Sequence, residues 1–140
     1  MMLWIALALH VIDEALTGFL SVYNPTVLAL RARLGFWPMP TFEFREWLTG
    51  LALGILVLAA LSRCAFRNVP WMRPLFYFCA VVIGIMNALG HTIATVLGQT
   101  VSTVQFPRPA PGFYSSPLLL GVSIYALLQL RRTRRLPPSL

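Results

Sequence analysis

Residues 2–22 read MLWIALALHVIDEALTGFLSV, a stretch apolar at nearly every position apart from His10, Asp13, Glu14 and Thr17. About 20 such residues cross the hydrocarbon core of a bilayer. A carboxylate in that core costs about 2.5–3.5 kcal/mol on insertion scales, so an Asp-Glu pair there marks a functional layer. The four polar side chains follow an i, i+3, i+4, i+7 spacing and share one helical face. Lipid offers such a stripe no partner, so it must face protein or an aqueous cavity.

The remainder of the chain has the same character. Its 140 residues are 58% hydrophobic and 11% charged, with a mean hydropathy of +0.75, against roughly 45–50% apolar content in soluble domains. This predicts a single all-α membrane domain, residues 1–140, built as a four-helix transmembrane bundle. The expected spans are Met2–Val22, Phe44–Leu61, Leu75–Gly98 and Tyr114–Leu130, with a basic tail over 131–140. Pro74 and Pro117 fit first turns, where a missing N–H leaves nothing unpaired. Between the first two spans, Asn24-Pro25-Thr26 reads as the start of a short amphipathic helix on the membrane surface, closed by Gly35 and Pro38-Met39-Pro40; an ordered loop fits the same residues equally well.

The net charge is +7, but the arginines cluster beside apolar segments and form no basic stripe with interleaved aromatics, which argues against nucleic acid. They read instead as topology signals. Arg63, Arg67, Arg73, Arg131, Arg132, Arg134 and Arg135 place the second connection and both termini in the cytoplasm, with Arg31, Arg33 and Arg108 opposing them in smaller number. Trp37 and Trp47 would then mark the outer interface, Trp4 and Trp71 the inner one. Cys64 and Cys79 have neither metal-like nor redox-like spacing and are expected to be reduced and structural. Met1–Ile5 carries no basic residue and no small-x-small site follows, so the first segment is expected to be retained.

The remaining ionisable groups fall in the same outer layer as Asp13 and Glu14, with Glu43 and Glu46 somewhat shallower. With the first span ending at Val22, those two lie about 12–14 Å below its outer end, and His91 lies about 12 Å below the end of the third span at 1.5 Å per residue. Asn87, His91, Thr95 and Gln99 recur at i+4, while Glu43 and Glu46 enter from the outer end of the second span. His10, Asp13, Glu14, Glu43, Glu46 and His91 are therefore the candidate catalytic set. Thr17, Arg45, Asn87 and Tyr114 are candidates for supporting it. Three chemistries fit. His10, Glu14, Glu46 and His91 suit a divalent metal, zinc or iron. Crowded carboxylates can instead share protons and act as an acid–base pair on a double bond of a sterol- or isoprenoid-like lipid. The third reading is a packing network in a non-catalytic accessory or ion- and proton-binding protein.

His10-Val11-Ile12-Asp13-Glu14, Asn87 with His91, and Pro111-Gly112-Phe113-Tyr114-Ser115-Ser116 together resemble the HXXEE family of small bacterial integral membrane proteins, over most of the chain. Asp13 stands where that family usually has Glu, which shortens the reach of the carboxylate. The resemblance implies a four-helix site in a bacterial inner membrane and supplies no reaction. The emopamil-binding isomerases are a looser architectural analogue. Phosphate loops, nucleophile elbows, haem attachment motifs and dinucleotide fingerprints are absent. The expected function is that of a multi-pass membrane enzyme using metal or acid–base chemistry on a lipophilic small molecule, with membrane lipid as its surroundings. A homo-oligomer or a larger membrane complex is compatible with the same residues.

Overall fold

A computed structural model describes residues 2–65 and 70–134, and the chain is all-helical apart from one small hairpin. The elements are α1 (Met2–Leu16), α2 (Leu20–Leu34), α3 (Phe44–Ala65), α4 (Met72–Phe78), a π-helical segment (Cys79–Met86), α5 (Asn87–Leu97), β1 (Gln99–Val101), β2 (Val104–Gln105) and α6 (Ser116–Arg134). Arg67, Arg135, the end of the tail, and the side chains of Arg63, Cys64 and Arg134 lie outside the described residues. Cys79 is buried with a free thiol.

The first expected span is broken. Gly18 adopts φ 76°, open to glycine at no steric penalty, and the Phe19 N–H bonds back to the Glu14 carbonyl at 2.9 Å, ending α1 in a Schellman turn. The chain then bends by 84° into α2. Asn24-Pro25-Thr26 consequently falls inside a helix rather than starting one. Asn24 uses both ends of its amide on the backbone of Phe42, and Arg31 donates to the carbonyls of Trp37 and Met39. Together they fold the segment after Gly35 back along α2.

The second expected span matches α3, extended to Ala65. The third matches α4, the π-helical segment and α5, which run on without a break from Met72 to Leu97. Beyond it, Gln99 pairs with Gln105 and Val101 with Val104 in an antiparallel hairpin that rests on α2. Phe44–Ser62 and Met72–Leu97 are long and apolar enough to cross a membrane, with a third candidate if α1 and α2 count as one bent span. α6 is not among them, because its apolar run gives way to Gln129 and to the arginines from Arg131 onward.

The core lies between α1, the Met72–Leu97 helix and α6. Leu3, Trp4, Ala6 and Leu7 meet Cys79, Ala80, Ala88 and Leu119, and Ile55, Leu58 and Ala59 of α3 close the side. Trp4 packs on Phe76 with ring centroids 5.2 Å apart. Trp4 and Trp47 are thus buried packing residues rather than interfacial markers, whereas Trp71 is half exposed. The π-helical segment and α6 approach closely: a Cβ at Gly84 would collide with the Ser123 side chain on α6. Gly84→Val should therefore lower thermal stability by about 1–3 kcal/mol through overpacking. Gly121→Ala, whose added methyl meets open space, should leave the melting temperature unchanged or slightly raised; thermal unfolding in detergent followed by circular dichroism compares the two.

Candidate metal centre

Three buried side chains meet where α1 ends, α5 approaches its end and α6 begins. His10 and Glu14 come from α1, one turn apart, and His91 from α5. His10 Nε2 lies 3.6 Å from Glu14 Oε1, and His91 Nε2 lies 3.0 Å from the same oxygen. The two imidazoles meet edge to face at 4.9 Å. One ligand atom from each of the three lies within 4.8 Å of the others, a group that could hold a metal ion.

The hydrogen bonding behind His10 fixes which nitrogen faces this cluster. Ser115 Oγ is 2.7 Å from Asp13 Oδ2 and 2.8 Å from His10 Nδ1, and the Ser115 N–H also donates to Asp13 Oδ2 at 2.8 Å. An ionised carboxylate can only accept, so the single hydroxyl proton goes to Asp13. Ser115 Oγ must then accept from His10 Nδ1–H. His10 is left as the tautomer whose Nε2 carries a lone pair, and that atom is buried with no hydrogen-bond partner, facing the Glu14 carboxylate. With His91 Nε2 these atoms form a donor set that could hold a cation. Bonds of about 2.0–2.1 Å at octahedral or tetrahedral angles separate ligand atoms by roughly 2.8–3.4 Å, a spacing that the 3.0 Å pair already has and that the others reach by drawing together.

The loop that carries Ser115 is held by a repeated device. Thr17, one turn after Asp13, donates to the Asp13 carbonyl and accepts from Gly112 N–H at 3.1 Å. Thr95, one turn after His91, donates to the His91 carbonyl and accepts from Ala110 N–H at 3.0 Å. Each hydroxyl thus ties the 110–116 loop to one of the two helices that supply ligands. Gly112, at φ 80°, lies directly over the cluster: an added Cβ would stand 2.8 Å from His91 Cε1 and 3.0 Å from Glu14 Cγ.

Several expected members lie elsewhere. Glu43, Arg45 and Glu46 are exposed at the start of α3, outside the His10–Glu14–His91 group. Glu46 Oε2 accepts from the Glu43 N–H at 3.4 Å, as a helix cap does, and negative charge is favourable at that helix end. Glu46 is therefore not brought to the metal cluster. Tyr114 is 69% exposed and lies outside the His10–Glu14–His91 group. Asn87 makes no hydrogen bond to His91 among the described residues and lines a groove beside it. Gln99 leaves the helix for β1. Asp13 is present but stands behind Ser115, and α1 ends only two residues after Glu14, so the cluster is far closer to the helix end than a span reaching Val22 implies. Ser115, Gly112 and Phe19 were not among the candidates. Phe19 connects α1's end to its surroundings, with its ring 5.7 Å from His91 and 5.8 Å from Trp47.

No family model matches the chain, and comparison with curated proteins and with solved structures gives no match either. The geometry alone carries the functional argument.

Two substitutions test the relay and the loop. Ser115→Ala removes the acceptor that fixes His10 and should weaken metal affinity about 10- to 100-fold while the fold persists. Gly112→Ala places a methyl against both ligands at a backbone angle that L residues adopt only with about 1–2 kcal/mol of strain. It should lower both the melting temperature and the metal content. Metal titration and thermal unfolding of the two variants separate these effects.

Proposed function

We propose that this chain is a multi-pass inner-membrane protein, a four-helix transmembrane bundle with both termini in the cytoplasm, whose His10, Glu14 and His91 bind one zinc or iron ion for chemistry on a lipophilic substrate. The observation that carries the metal is the partnerless Nε2 of His10, held as a lone pair toward Glu14 by the Ser115–Asp13 relay. Two imidazoles and one carboxylate form a set used by catalytic zinc and by non-haem iron, with coordination positions left for water or substrate. Purely structural zinc sites are closed by four protein ligands. An ion at this site would activate a bound water or polarise an oxygen of the substrate.

The membrane placement is supported by the outer surface. Ile5, Leu9, Ile12, Leu53, Leu56, Val57, Ile93 and Leu118 point outward although the helices also bury an apolar core, and helices that are apolar all round suit lipid contact. The likeness to HXXEE proteins belongs to the same proposal, since His10, Glu14, His91 and Gly112, four of the residues that carry it, meet at the cluster. The separation of Glu43 and Glu46 from the buried acids favours a mononuclear ion over a four-carboxylate dinuclear centre.

Purified protein reconstituted with Zn2+ or Fe2+ and desalted should retain close to one ion per chain by elemental analysis. His10→Ala, Glu14→Gln and His91→Ala should each lose it, because coordination needs the deprotonated ligand and no other described side chain replaces it. Glu46→Gln should keep it. Retention of the ion by His10→Ala, or failure of folded wild-type protein to hold either metal, would refute the reading.

A further inference from the structure

A groove of about 230 Å³ opens beside the cluster, between α2 and α5. Its walls are apolar, with Phe19, Val22, Met86, Ala94, Phe106 and Pro111 supplying most of the surface. Tyr23 and Thr26 line the α2 side with their hydroxyls bonded to the Pro40 and Val22 carbonyls, while on α5 His91 and Asn87 stand one turn apart and both face the cavity. The Asn87 side chain is half-buried and makes no hydrogen bond among the described residues, so it offers two N–H donors and an acceptor to whatever enters.

We propose that this groove receives a single-chain lipid carboxylate, with its head group at Asn87 and the ion beside His91 and its chain along Phe19, Val22 and Phe106. The proposal rests on the metal reading above. Charge selects the head group. A divalent ion held by Glu14 and two neutral imidazoles leaves +1 on its own ligand shell, with Asp13 set back behind the Ser115 hydroxyl, and no arginine lines the groove. The ion is then the sole cation there, and its open positions take an anionic oxygen. Size selects the body. At roughly 30 Å³ for each water-sized group, the cavity admits about eight such groups. The groove is open on one side, so a linear chain lies along its apolar wall with its far end outside.

Gly90 provides the means to test the groove apart from the ion. It lines the cavity, and a Cβ there meets nothing within 4 Å, so Gly90→Phe adds bulk to the groove without replacing a ligand. Zinc-loaded protein in nanodiscs would be irradiated with a diazirine-bearing palmitate, and the labelled peptides mapped by mass spectrometry alongside zinc content. Expected are labels on residues of the 19–26 and 86–94 segments, competed by laurate and not by dodecanol. Labelling should fall at least tenfold in Gly90→Phe, and likewise in Met86→Trp should the first variant fold poorly, with zinc retained in both. Asn87→Leu should reduce it severalfold. Absence of groove labelling in zinc-retaining wild-type protein overturns the lipid proposal and leaves the metal reading intact. Equal competition by dodecanol overturns the carboxylate, and undiminished labelling in zinc-free His10→Ala overturns the ion as its anchor. A wild-type protein that holds no zinc fails at the metal reading itself.

Discussion

One hydroxyl proton sets the direction of the whole centre. Because Ser115 has a single proton and Asp13 Oδ2 can only accept it, the hydrogen bonds run from His10 through Ser115 to Asp13, and His10 Nε2 is left bare toward Glu14. In water this tautomer would exchange freely. Buried among helices it is held, since the other neutral tautomer would set two acceptors, His10 Nδ1 and Asp13 Oδ2, against the one Ser115 proton. Asp13 and Glu14 are adjacent in sequence yet do opposite work: one holds a ligand from behind, and the other offers its own oxygen to the cluster.

That arrangement needs parts from distant places in the chain. His10 and Ser115 are 105 positions apart, and Thr17 and Gly112 are 95 apart. The loop before α6 therefore behaves as a lid sewn to α1 and α5 by two threonines, with a glycine where any side chain would press on the ligands. The centre comes into being only when the last helix packs. Helix packing and ligand geometry are one structural event in this protein, so substitutions that loosen α6 reach the cluster without contacting it.

Much of this was legible in the amino-acid sequence, and the limits have physical causes. The i, i+4 spacing of His10 and Glu14 and the polar stripe through His91 identified the three converging residues, because a buried helix face leaves polar groups no other place to go. Thr17 and Thr95 lay on those same stripes. Two errors arose from counting apolar residues through punctuation. Thr17-Gly18 ended α1 well before Val22, since glycine at positive φ closes a helix whatever the hydropathy beyond it. Glu43 and Glu46 read as members of the site entering from the outer end of the second span, and Glu46 as a metal ligand, although their i, i+3 spacing at a helix start is also that of a cap. Ser115 could not be assigned, because its partners depend on a tertiary approach between the first and last helices. The hairpin after Gly98 is too short to leave a periodic signal.

The π-helical segment has a consequence for how such a site is phased. A π turn holds more residues than an α turn, so the stretch Cys79–Met86 resets the angular position of everything after it on the same helix axis. Gly84 meets α6 within it, and His91 meets α1 beyond it. One residue in an α-helix corresponds to about 100° of rotation. A deletion of a single residue here, tolerated elsewhere in an apolar helix as a small change of length, would turn His91 away from His10 and Glu14 while leaving the composition of the helix almost unchanged. The length of this helix between Met72 and His91 is thus constrained to the residue, even though most of its side chains are interchangeable hydrocarbons.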